Sequence, residues 1–196
     1  ERLRFAIYDD KHALDPHITQ WYETPYGPGW RNVKGYGAVG DDSHDDTAAF
    51  QAALTAGGMV VVPPGRYKIT STLTITVGVH LRGIGPGPGG VTTGTTTDYP
   101  GVILNHAFNG TFFDILGTDT GTGATLEAAV GTRLENLILR NSYGEGTGDC
   151  GTAIRFFCTS NTHKASWLRL KDVNCEVVTG PSAANDWTYC LDADGD

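Results

Sequence analysis

Two short patterns recur, in a fixed order, in the second half of this 196-residue chain. GTFFDI at 110–115 returns as GTAIRF at 151–156, an offset of 41, and RLENLIL at 133–139 returns as RLKDVNC at 169–175, an offset of 36. The order GT, RL, GT, RL is that of two successive turns of one repeated unit. Within the RL segments apolar residues alternate, Leu134, Leu137 and Leu139 against Leu170, Val173 and Cys175, as they do in a strand with one buried face. Asn136 and Asp172 interrupt the alternation at the same place. Asn and Asp tolerate a left-handed φ and can bond nearby backbone, so each marks a bend. One such turn cannot bury its own apolar face, and it must stack on copies of itself with equivalent strands about 4.8 Å apart. The unequal offsets fit stacked coils that carry loop insertions. An all-β stack of parallel coils is the expected architecture.

The first half fits the same plan. VVV at 60–62 and YKI at 67–69 flank Pro63-Pro64-Gly65, a corner that fixes φ twice and then reverses. LTITV at 73–77 and VHLRGI at 79–84 alternate as strands, and the stack resumes at 102–105. GPGPGGVTTGTTTD at 85–98 is a projecting loop, and 118–125 and 142–149 are shorter ones. The composition agrees: 27 glycines and a single methionine suit many short strands joined by tight turns. With 14 Lys and Arg against 22 Asp and Glu, the net charge is −8, and no basic cluster exceeds two residues. Nucleic acid and anionic membrane surfaces are therefore not expected partners, and no apolar run reaches the roughly 20 residues of a membrane span.

YGAVGDDSHDDTAAFQAAL at 36–54 introduces the first of these strands. Asp45 or Asp46 is placed to cap a helix that begins near Thr47. Phe50, Ala53 and Leu54 fall on one face of it, and Gly57-Gly58 stops it, because glycine takes a positive φ at little cost. This segment, with Asp45, Asp46, Thr47, Phe50, Gln51, Pro63, Gly65 and Tyr67, resembles the opening of the pectate-lyase-like superfamily. The resemblance implies a pectin-lyase-like right-handed parallel β-helix behind a short N-terminal capping α-helix, and it gives those residues a structural role. It also implies work on polysaccharide, and it is closest to the N-terminal part of a bacteriophage tailspike or depolymerase. Residues 1–35, rich in aromatics and turn formers, are read as an irregular arm that meets other virion proteins. Residues 36–196 are read as the β-helix, truncated at its C-terminal end, with homotrimerisation as one way to cover that end.

The chemistry is less defined. Glycoside hydrolysis needs two carboxyl groups held apart by about 5–9.5 Å, and Glu135, Asp172 and Glu176 are the groove candidates, against the plainer reading of solvated charges. Glu135 matches Lys171 in the repeat, so that ladder alone makes no acid pair. Arg133, Arg140, Arg155 and Arg169 lie on or beside strands without a pattern that selects one. Trp21, Tyr22, Tyr26 and Trp30 offer stacking surfaces for sugar rings, or packing for the arm. Asp192, Asp194 and Asp196 repeat the oxygen spacing that opens a calcium loop without its remaining ligands, so calcium is the ion they would suit and no cofactor is required. Cys150, Cys158, Cys175 and Cys190 lack zinc or redox spacing and are either disulfides or buried thiols. Three functions follow: a virion tailspike that binds and depolymerises bacterial surface polysaccharide, a secreted polysaccharide lyase or hydrolase, and a non-catalytic rod.

Overall fold

The computed structural model describes residues 30–85, 101–117, 131–142, 151–158, 168–177 and 189–192. Twelve strands occupy most of them: β1 Trp30–Asn32, β2 Asp41–Asp45, β3 Gly58–Val62, β4 Gly65–Ile69, β5 Leu73–Ile75, β6 Val79–Gly83, β7 Val102–His106, β8 Phe113–Gly117, β9 Arg133–Asn141, β10 Thr152–Cys158, β11 Arg169–Val177 and β12 Tyr189–Asp192. Every pairing among them is parallel. One strip runs β1–β3–β6 into the first part of β9, and a second runs β2–β4–β7 into its later part. Strand β11 pairs along both parts of β9, and a third strip runs β5–β8–β10–β12. Three strips visited in rotation by one chain make a right-handed parallel β-helix, the expected fold.

Both repeats are structural rungs. Arg133, Leu134 and Glu135 pair with Arg169, Leu170 and Lys171, and Phe113, Asp114 and Ile115 pair with Ile154, Arg155 and Phe156. The interruptions are the bends, with φ of 58° at Asn136 and 52° at Asp172. Asn136 Nδ2 donates to Gly83 O at 3.0 Å and Gly85 O at 3.1 Å, so its amide fastens the bend to the preceding coil and not to its own backbone. The GT repeat has a steric cause as well: Gly151 has φ +84°, and a Cβ there would collide with the Gly110 carbonyl of the coil below.

Inward side chains stack in columns. Leu81 sits under Leu134, Tyr67 under Leu104 and Leu139, and Leu73 under Phe113 and Ile154, all fully buried. Each such side chain contributes about 1.5–3 kcal/mol, and only stacking removes it from water. One column carries a polar pair. His106 is buried between the Phe108 and Phe112 rings, with Nε2 3.0 Å from Gly110 O and Nδ1 3.4 Å from the Asn141 side-chain oxygen position. Burial pushes its pKa down to about 4, the Asn141 and Gly110 bonds opposing that only in part. A neutral ring that donates from Nε2 to the carbonyl accepts at Nδ1, so the Asn141 amide must turn its nitrogen toward the ring.

Helix α1, Thr47–Thr55, closes the N-terminal end. The two aspartates before it divide the work. Asp45 Oδ1, one residue before the N-cap position, accepts from the first helical N–H, Thr47 N, at 3.0 Å, while Thr70 Oγ1 donates to Asp45 Oδ2 at 2.6 Å. Asp46, fully buried, makes no cap bond; its carboxylate accepts from Val39 N at 2.7 Å and Gly40 N at 3.1 Å and holds the preceding loop. Phe50 packs edge-on to Tyr67 at 5.2 Å, and Tyr67 OH donates to Pro63 O at 2.8 Å. The helix stops at Gly57 and Gly58, with φ of +68° and +75°. Gln51 supplies the missing edge: its Oε1 accepts from Thr74 N and its Nε2 donates to Thr74 O, both at 2.9 Å, as a neighbouring strand would do for β5.

Residues 30–35, assigned to the arm by the sequence, lie in the body. Strand β1 pairs with β3, and the 3-10 turn Val33–Tyr36 buries Val33 completely. At the other end Cys175 of β11 and Cys190 of β12 form a disulfide, which settles half of the cysteine question. Cys150 lies outside the described residues. No helix among the described residues is long and apolar enough to cross a membrane.

Candidate functional site

Alternation on the first strip turns every second residue outward. Two outward columns result: Trp30, Met59, His80, Arg133 and Arg169 in one, and Asn32, Val61, Arg82, Glu135 and Lys171 in the other. Over the last three coils these columns hold four basic side chains, Arg82, Arg133, Arg169 and Lys171, against Glu135 and, at the bend, Asp172. The balance is cationic on a chain whose net charge is −8. An open groove of about 250 Å³ lies on this face, lined by His80, Gly131, Arg133 and Arg169.

Glu135 organises the cluster. Its Oε2 lies 2.9 Å from His80 Nε2 and 3.1 Å from Arg133 Nη2, and Oε1 accepts from Lys171 Nζ at 3.0 Å. Burial by itself would raise the pKa of this carboxyl. The Lys171 and His80 hydrogen bonds, with the charges of Arg133 and Lys171, outweigh it and hold the value down to about 2. Glu135 is thus ionised at any working pH and has no proton to give as a general acid. Its bond to His80 Nε2 makes that nitrogen the donor in a neutral ring, and leaves Nδ1 as an acceptor.

Of the three candidate carboxylates, Glu135 lies on β9, and Asp172 and Glu176 lie on β11. Lys171 Nζ stands between two of them, 3.0 Å from Glu135 and 3.9 Å from the exposed Asp172. Glu176 lies beyond the bend, in register with Arg140 on the second strip. Trp30 is half-buried on β1, and Trp21, Tyr22 and Tyr26 lie outside the described residues. Asp192 lies on β12 in register with Arg155, and Asp194 and Asp196 are outside the described residues. No group of three or more His, Cys, Asp or Glu among the described residues is arranged to hold a metal ion.

Sequence reasoning passed over two features. Arg155 forks onto Asp114 with bonds of 2.9 and 2.6 Å, locking the third strip in register, and Asp114 in turn keeps the guanidinium pKa above its ordinary value. The Arg133–Arg169 column was present in the offset of 36. The addition of His80 to it depends on the register of β6 on β9, 53 residues apart (His80 with Arg133), which no repeat announces.

With this geometry in view, the comparisons with known proteins are consistent. Residues 30–107 match the family described as rhamnogalacturonase A/epimerase, pectate lyase-like. That part of the β-helix is similar to the pectate-lyase-like family. The chain is similar to the mannuronan C5-epimerase AlgE2 of Azotobacter vinelandii, 44% identical over 68 residues, covering 29% of this chain and 7% of that protein. It is similar to a pre-neck appendage protein of Bacillus phage B103, 37% identical over 54 residues, covering 28% and 6%. A non-secreted LysM effector, LysM15 of Penicillium expansum, is 31% identical over 133 residues, covering 59% of this chain and 8% of that protein. The chain spans less than a tenth of the length of each of these relatives.

Proposed function

We propose that this chain is the opening β-helical segment of a virion-associated protein that holds bacterial surface polysaccharide, and that the complete protein acts on that polymer. The observation that carries this is the outward face of the last three rungs of the first strip, where Arg82, Arg133, Arg169 and Lys171 stand on successive coils beside an open groove, a surface suited to an extended polymer. The likeness to a phage pre-neck appendage protein and to a mannuronan epimerase supports the virion setting and the polysaccharide. In its finer form the reading is a tailspike: a homotrimer on the virion tail, joined to other tail proteins through residues 1–29, with depolymerase chemistry outside the Glu135 cluster. A secreted polysaccharide lyase or hydrolase is the second reading, favoured by the Cys175–Cys190 disulfide, since such bonds persist in oxidising surroundings.

The test is incubation of the full chain with bacterial capsular and lipopolysaccharide glycans, following binding, new reducing ends and the absorbance of unsaturated uronates. Binding to at least one surface glycan is expected. Reducing ends with an absorbance rise identify a lyase, and reducing ends without it a hydrolase. No binding across the panel would leave a structural rod and overturn the proposal.

A further inference from the structure

The groove on the first strip has a chemistry of its own, and the inference drawn from it rests on the polysaccharide reading above. Arg133 and Arg169 are adjacent rungs of one outward column, His80 is the rung before them, and all three line the groove. Arg169 is exposed and Arg133 is one-third exposed, so their guanidinium groups reach solvent. Two like charges on neighbouring rungs repel, and among the described residues Glu135 relieves that for Arg133, through one of its five N–H donors. The remaining donors of Arg133 and those of Arg169 face solvent along the groove.

We infer that this groove binds an oxyanion carried by the glycan, a carboxylate or a phosphodiester, between Arg133 and Arg169, with His80 Nδ1 accepting from a hydroxyl beside it. Guanidinium groups suit such oxyanions because the planar fork donates two parallel hydrogen bonds. Glu135 is a positioning residue: it fixes the His80 ring by Nε2 and holds Lys171 Nζ at 3.0 Å. The groove, at about 250 Å³, falls below the roughly 300 Å³ at which enclosed small-molecule sites begin. It suits one charged substituent of a polymer lying across the coils.

The experiment is calorimetric titration of the full chain with three polymers: oligogalacturonate, poly(glycerol phosphate) and neutral dextran. Binding to at least one of the anionic polymers is expected, and whichever binds identifies the source of the oxyanion. Dextran should bind at least about tenfold more weakly, and affinity should fall as salt is raised. Arg169→Gln, on an exposed side chain of the last described coil, and Arg133→Gln should each weaken binding about tenfold, with Arg66→Gln on the second strip within about twofold of the parent. Circular dichroism of each variant separates lost binding from lost fold. Preference for a neutral surface glycan, or indifference to both arginine substitutions, overturns this inference while the polysaccharide reading stands. If neither these polymers nor any surface glycan binds, both fall.

Discussion

At the β5 edge the free backbone groups of Thr74 are taken up by the Gln51 amide, and Phe50, Ala53 and Leu54 of the same helix cover the first core layer. At the β12 edge no helix among the described residues plays that part. Leu170 and Leu191 occupy inward columns, over Leu134 and Ile154, yet they stand 40% and 46% exposed. A covalent bond, Cys175–Cys190, ties the two edge strands of the last coil together. Among the described residues, one edge is therefore covered by hydrogen bonds and apolar packing, while the other is tied by a crosslink that leaves Leu170 and Leu191 exposed. A strand edge needs a partner for its N–H and C=O groups, and its inward side chains need a layer above them. The opening motif meets both needs with one nine-residue helix, which explains why so much of its sequence is specified.

The comparison can be broken most severely at the closed end. Phe50→Ala removes a fully buried ring from between helix and coil, and a loss of about 4 kcal/mol is expected in denaturant titration. Acid should weaken the coils between the ends. His106 has a folded pKa of about 4, below the ordinary 6.5, so the unfolded chain binds the proton more readily. Its neutral form is favourable to folding above pH 6.5, and stability falls as pH drops from 6.5 to 4, by up to about 3 kcal/mol. Thermal melts across that range should show the slope, and His106→Gln should flatten it.

Reduction of Cys175–Cys190, or the Ser/Ser double variant, should cost about 3 kcal/mol for a loop of 15 residues. The loss should be local, with β11 and β12 freed while Tyr67 and Leu104 stay ordered, as limited proteolysis would report. Gln51→Leu keeps the helix but leaves Thr74 N–H and C=O without their partner, for about 2 kcal/mol. The smallest change belongs at the crosslinked end, where Leu191→Ser, on a half-exposed position, should shift stability by under about 0.5 kcal/mol.

The legible parts of this molecule were those whose cause is local or repeated. Asn136 and Asp172 could be read as bends because only a few residues tolerate a left-handed φ. The rungs of β9 on β11 and of β8 on β10 followed from offsets of 36 and 41. What stayed hidden depended on register across insertions. His80 joins Arg133 only because β6 and β9 align over a gap of 53 residues. The division between Asp45 and Asp46 was hidden for another reason. Both are adjacent to the helix start and both can cap, and the choice is made by a loop, Val39 and Gly40, that needs a buried carboxylate. Sequence placed Glu135 in the groove as a candidate acid; its partners His80, Arg133 and Lys171, two of them from other strands, hold it as an ionised anchor.

Amide hydrogen exchange at Thr74, measured residue by residue in the native chain and in Gln51→Leu, tests most directly whether the opening helix serves as the edge of the stack. Slow exchange in the native chain is predicted, becoming fast in the variant while Leu81 and Leu104 keep their protection. Free-peptide exchange at Thr74 in the native chain, or an unchanged rate in the variant, would contradict it.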